Sequence, residues 1–283
     1  MADQAIEAEA PAAPAKSVWS RLPISVRAIV SGLLVAFGGV QLWALLQFSI
    51  GLSWALIPPA VMMLVLFLFW TSGRAWPDKT SLARTIVFRP IALTPSQWVW
   101  SLAAALFSVI CVAAGFAALF RLAPLSQAAP ANPAALAAPG LAWALAVRGA
   151  LVAGICEETG FRGYMQLPIE RRHGPLIAIL ASSALFTLFH LSQVWAVPAA
   201  LALLFSAGVL LGLLAWASNS LIPGMIAHAA MALCTFAYGR IGLAGEAAPG
   251  ADGLFFAALA AALVSLGAFL FMIARLRTTP RTP

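Results

Sequence analysis

The feature that most constrains this chain is the recurrence of long apolar windows. Stretches of about 18 to 25 predominantly apolar residues fall near 28–50, 52–70, 96–120, 141–165, 174–193, 197–218, 220–239 and 253–275. Each is long enough, as a helix, to cross a hydrocarbon core of about 30 Å. Inside hydrocarbon every backbone N–H and C=O must find a partner within its own segment, so windows of this length fold as helices. The chain is therefore expected to be all-α, a polytopic membrane helix bundle of about eight transmembrane helices. Composition agrees, since 63% of its 283 residues are hydrophobic and only 9% are charged, whereas roughly half the residues of a soluble domain are apolar.

The 16 Lys and Arg against 9 Asp and Glu occur in short groups between the windows, not as a basic stripe or arm, so they read as topology signals and not as a nucleic-acid surface. With the N-terminus in the cytoplasm, twelve of the sixteen fall on that side, in groups around 16–27, 74–89, 171–172 and 275–281. The other side receives Arg121 and Arg240 together with a Pro/Ala-rich loop at 122–140, while Arg148 and Arg162 lie within or at the end of a span. The positive-inside rule then favours both termini in the cytoplasm. The start "MADQAIEAEAPAAPA" carries no basic residue, which does not fit a cleaved secretory signal. The expected organisation is a disordered cytoplasmic tail over 1–25, one membrane domain over 26–276 and a short basic tail over 277–283. "LIPPAV" at 56–61 predicts a kink in the second span. Cys111, Cys156 and Cys234 lie in apolar windows with no CxxC or other metal-type spacing and read as buried, inert thiols.

Against this background the stretch "LVAGICEETGFRGYMQ" at 151–166 stands out. A charged side chain at helix-centre depth costs about 2.5 to 3.5 kcal/mol on insertion scales, so such residues face the bundle interior and pair. On a helix Glu158 and Arg162 are i and i+4, in the favourable acid-before-base order, whereas Glu157 is rotated by about 100°. Arg162 is thus expected to neutralise Glu158 and leave Glu157 free, either as a general base or as part of a charge cluster that pins helices or lines a water-filled cavity.

Two of the three histidines, His190 and His228, also lie in apolar spans, while His173 sits in the basic turn "ERRHGP". Glu157 and His190 stand at nearly equal residue counts before and after the turn at 173–174. In an antiparallel hairpin both then lie about 24 Å from the tip, while His228 lies about 13 Å along its own helix. All three meet only if the tip projects past the membrane surface by about two turns. A carboxylate and an imidazole at one level can hold a water and take its proton, and a second imidazole can donate to the oxyanion formed when that water attacks a carbonyl. The same residue types, Glu157, His190 and His228, also suit a divalent metal such as zinc. No HExxH pattern is present, and residue types alone leave metal-bound and metal-free water open.

These motifs resemble the CPBP (CAAX protease and bacteriocin-processing, or ABI) intramembrane proteases, relatives of the type II CAAX prenyl endopeptidases. EExxxR matches "EETGFR" at 157–162, FxxxH matches "FTLFH" at 186–190, and the later histidine after an SLxP stretch matches "SLIPGMIAHAAMA" as far as His228. Position 232 holds Ala232 where the family usually has Asn. The resemblance covers about 141–240 and implies an intramembrane endopeptidase acting on a membrane-associated peptide or protein. Glu157 and His190 would act on water, His228 on the oxyanion, and Glu158, Arg162 and Phe186 would support them. The different reading, to which Ala232 lends weight, is a non-hydrolytic membrane protein of the same fold that binds as an immunity factor or handles ions or protons. Low Lys content and abundant Ala read as bacterial, which places the chain in an inner (plasma) membrane with the lipid bilayer as its surroundings.

Overall fold

The computed structural model describes residues 18–88, 93–122, 138–191, 198–240 and 250–280, and the regular structure among them is helical. After a single turn at Val18–Arg21, α1 spans Ile24–Ile50, α2 Ile57–Thr71, α3 Asp78–Val87 and α4 Pro95–Leu122. The continuous helix α5 runs over Pro139–His173. It is followed by α6 at Pro175–Phe189, α7 at Pro198–Ser218, α8 at Ile222–Arg240 and α9 at Gly253–Thr278. Of the expected tail over 1–25, residues 1–17 lie outside the described residues, and 18–25 hold the single turn and the start of α1. Positions 123–137 of the Pro/Ala loop and 281–283 of the basic tail also lie outside them, while 277–278 complete α9.

Every apolar window forms a helix, but not every helix has the same reach. Six described helices are long and apolar enough to cross a membrane: α1, α2 with the turn before it, α4, α5, α7 and α9. α6 and α8 are apolar but shorter. The 15 residues of α6 extend about 22 Å at 1.5 Å per residue, less than the hydrocarbon core. The chain is an all-α integral membrane protein whose two short apolar helices carry or lead into His190 and His228.

Two local expectations are revised. Pro58 and Pro59 do not kink a span; they lie in the first turn of α2, behind the 3₁₀ turn Trp54–Leu56, where a missing N–H removes no intrahelical bond. Arg84, counted among the surface charges, is buried on α3. Its guanidinium donates to the carbonyls of Trp70 at 2.6 Å, of Pro77 at 3.0 Å and of Ala75, and stacks over the Trp70 ring at 4.9 Å. It thereby ties α3 to the end of α2. Of the three thiols, Cys156 is buried, Cys111 is partly buried and Cys234 is exposed; a thiol is apolar enough to sit among outward-facing hydrocarbon side chains.

The bundle is arranged around α5. α6 folds back along it through Gly174, whose φ of 85° is the left-handed conformation glycine permits. α1 lies against one flank of α5, α8 against another, α7 packs on α6, and α4 packs on α7 and α8 with α9 along its outer side. The flanks are close. A Cβ on Gly160 would lie 2.6 Å from the Gly32 carbonyl oxygen of α1, and one on Gly154 2.6 Å from the Met225 carbonyl oxygen of α8. Small residues let backbones approach in this way, which is the main source of helix association where lipid replaces water. Outward-facing Leu34, Phe48, Val61, Val65, Val264 and Phe271 are exposed, as a hydrocarbon solvent requires.

At the opposite end from the α5–α6 turn, Arg121 of α4 pairs with Asp252, the N-cap of α9, whose Oδ1 also accepts from the Phe255 N–H at 2.9 Å. The Arg121 hydrogen bond holds the Asp252 carboxyl below its ordinary 3.8. A depressed carboxyl contributes stability that is present above the ordinary range and lost as pH falls through the lowered value. The apparent Tm of the purified protein is therefore expected to fall on acidification, and Asp252→Asn to show a smaller fall when the two are compared across a pH series. Gly154→Leu is expected to destabilise by about 1–3 kcal/mol through overpacking. Gly267→Leu, where an added Cβ meets nothing within 4 Å, should leave the apparent Tm in detergent unchanged.

Candidate active site

The middle of α5 is not wound as an ordinary α-helix. Ala153–Glu157 and Thr159–Gln166 are π-helical, with i→i+5 bonds that widen each turn, a geometry common at functional sites. Glu157, Glu158, Arg162 and Gln166 all project from this stretch and all are buried. Arg162 is the bulkiest fully buried side chain of the described residues.

Glu158 is the hub. Its Oε1 lies 3.3 Å from Arg162 Nη1 and 2.9 Å from His228 Nδ1. The expected i,i+4 pair therefore forms, and the same carboxylate reaches across to α8 and orients the imidazole there. Arg162 is further held by donating from Nη2 to the Gly208 carbonyl of α7 at 3.0 Å, with its guanidinium 4.7 Å from the Phe186 ring.

Glu157 is the freer carboxylate, as its rotation on the helix implied. Its Oε2 lies 3.5 Å from His190 Nε2 and 3.9 Å from His228 Nε2, and this oxygen is buried without a hydrogen-bond partner among the described residues. His190 is the residue at which α6 ends, and its Nδ1 sits 2.9 Å from the Phe186 carbonyl oxygen. A carbonyl only accepts, so Nδ1 carries the proton and a neutral His190 turns the lone pair of Nε2 toward Glu157. Phe186 packs between the groups, with ring centroids 4.5 Å from His190 and 5.6 Å from His228. Glu157 and His190 thus face each other as their equal residue counts from the turn imply, and His228, which the count alone leaves about 11 Å short, joins them through the packing of α8. His173, by contrast, lies apart in the turn, its Nε2 2.8 Å from Ser25 Oγ.

Several contributors went unnoticed in the sequence. Gln166 donates to the Gly212 carbonyl at 3.0 Å and is approached by Ser182 Oγ at 3.3 Å. Together Glu158, Arg162 and Gln166 form a ladder at i, i+4 and i+8, and the carbonyls of Gly208 and Gly212 receive its two upper rungs. The signal was present as GxxxG in "GVLLG" and as the regular spacing of polar residues. A cleft of about 250 Å³ leads away from Glu157 between α1 and α5, lined by Trp43, Gln47, Arg148 and Val152 among others.

Among the described residues no group of three or more His, Cys, Asp and Glu side chains is set to hold a metal ion. Glu157, His190 and His228 offer acid–base chemistry and hydrogen-bond donation, and their residue types leave metal-bound and metal-free water both open. Ala232 adds no polar atom to it.

The two adjacent glutamates are expected to differ in what their removal does. Glu158→Gln leaves Arg162 buried without its carboxylate and should destabilise the protein by about 3–5 kcal/mol. Glu157→Gln keeps the shape of a side chain whose Oε2 has no hydrogen-bond partner among the described residues and should stay within about 1 kcal/mol. Apparent Tm values of the two purified variants check this contrast.

Residues 139–234 match the family model described as Type II CAAX prenyl endopeptidase Rce1-like. No curated protein and no solved structure matches the chain. The matched segment runs from the first turn of α5 into α8 and holds Glu157, Glu158, Arg162, Phe186, His190 and His228, in line with the motif resemblance to CPBP proteins. Over these residues the chain is similar to the Rce1-like type II CAAX prenyl endopeptidases.

Proposed function

We propose that this protein is an intramembrane endopeptidase that hydrolyses a peptide bond of a membrane-associated protein or peptide. The observation that carries this reading is the facing pair of Glu157 Oε2 and His190 Nε2 at 3.5 Å, with His228 Nε2 3.9 Å from the same oxygen. A carboxylate oxygen and an imidazole lone pair at this spacing are two acceptors that one water can bridge by donating to both. As the water oxygen attacks the scissile carbonyl, its proton passes to this pair, and a positioned base of this kind contributes about 10²–10⁴-fold.

His228 acts on the other side of the carbonyl. Protonated on both nitrogens, it donates Nδ1–H to Glu158 and Nε2–H to the developing oxyanion, a role in which one donor is worth about 10²–10³ in kcat. Glu158, Arg162 and Phe186 position that imidazole. The proton on the Glu157–His190 pair then passes to the amine leaving group, which balances the hydrolysis. The excess of basic residues on one side, which remains with Arg84 set aside, supports both termini in the cytoplasm, and the low Lys and abundant Ala support a bacterial inner membrane.

The test is cleavage of a labelled library of membrane peptides by the purified protein in nanodiscs. Wild type is expected to cleave, with the rate falling at least about 100-fold in Glu157→Ala and in His190→Ala. Cleavage measured with and without a chelator of divalent metal decides between metal-bound and metal-free water. An inactive wild type, or undiminished cleavage by both variants, overturns the reading.

A further inference from the structure

Arg148 takes no part in the site described above, yet it lies on the same helix nine residues before Glu157, inside the apolar run of α5. Among the described residues its hydrogen bond is from Nη2 to Gln47 Oε1 of α1 at 2.9 Å, a neutral partner. Nε and Nη1 are buried and make no hydrogen bond. A guanidinium keeps its charge under all ordinary conditions, and at this depth it calls for an anion. Of the carboxylates of α5, Glu157 and Glu158 lie at least two helical turns away and Glu170 farther still, and Glu158 is engaged by Arg162 and His228.

The cleft supplies the connection. Arg148 and Gln47 line one end of the cavity of about 250 Å³ and Glu157 lines the other, with the apolar side chains of Val40, Trp43 and Val152 between them. The cleft is thus cationic at one end, apolar along its length and acidic at the end where water would be activated. This polarity orients a chain that is apolar with an anionic group at one point. Nine residues of helix place Arg148 roughly 13 Å from Glu157 along the axis, the span of about four residues of extended peptide.

We propose that Arg148, steadied by Gln47, is the specificity subsite of this cleft and takes a carboxylate of the substrate peptide about four residues from the bond held at Glu157. The carboxylate is either an acidic side chain or the end of the substrate chain. This assignment rests on the endopeptidase reading, because that reading makes the cleft a peptide path. Charge-assisted hydrogen bonds to a guanidinium are roughly twice as strong as neutral ones, so one such contact sets a preference without a large interface.

The experiment measures binding and cleavage separately. Short apolar peptides with a free or an amidated C-terminus, and with Glu or Gln within the sequence, are titrated against the purified full chain bearing Glu157→Gln, so that none is cut. Peptides carrying a carboxylate are expected to bind at least about tenfold more tightly than the amidated Gln forms. The difference between the end-group series and the side-chain series identifies the source of the carboxylate. Adding Arg148→Gln should abolish the preference, and Arg148→Lys, which keeps the charge, should retain part of it. Equal binding of all forms, no binding of any form, or a preference that survives Arg148→Gln overturns the proposal. So does release of co-purified anionic lipid by Arg148→Gln without any peptide preference, since the cation then serves a headgroup. Because binding is read on protein that does not cut, a wild type that binds with this preference but never cleaves sinks the endopeptidase reading and leaves the carboxylate subsite standing.

Discussion

The structure depends on keeping one guanidinium in the middle of an apolar bundle. Arg162 has no exposed surface, and an unpaired charge at such a site is costly enough that its partners fix the geometry around it. Glu158 neutralises it from one turn before, the Gly208 carbonyl accepts from it across α7, and the Phe186 ring covers its face. Each partner belongs to a different part of α5–α7, so satisfying one cation sets the mutual positions of three helices. His228 joins through the other side of the Glu158 carboxylate and adds α8. The polar centre therefore acts as register for the bundle as well as scaffold for Glu157.

Much of this was readable in the residues because the relevant distances are short along the chain. Glu158 and Arg162 share one helical turn, and Glu157 and His190 are linked by one tight hairpin, so residue counts convert directly into position. His228 is reached through α7 and a second turn, and the count alone left its depth 11 Å or so short of the others by helical rise. Only the packed helices bring its Nε2 within 3.9 Å of Glu157.

What stayed hidden has a common physical cause. Hydropathy averages over a window and does not register where a helix begins or how it is wound. It did not separate the short α6 from the longer helices, placed Pro58 and Pro59 inside a helix whose first turn they form, and gave no sign of the π winding on either side of Glu158. Arg84 was counted by charge alone, although three carbonyls at a chain reversal make a site that buries it. Gln166 carries no charge and so drew no notice, yet its amide holds α5 to the Gly212 carbonyl in parallel with Arg162 on Gly208.

The spacing of the charged residues on α5 also bears on how the protein is made. Glu158 and Arg162 meet within a single helix, so this segment can enter the bilayer with its largest charge already compensated, before any neighbour has arrived. Glu157 has no such companion on its own helix; the imidazoles that face it come from the end of α6 and from α8, later in the chain. The Glu158–Arg162 pair is thus local to one helix, whereas the surroundings of Glu157 are complete only once α6 and α8 are packed against α5.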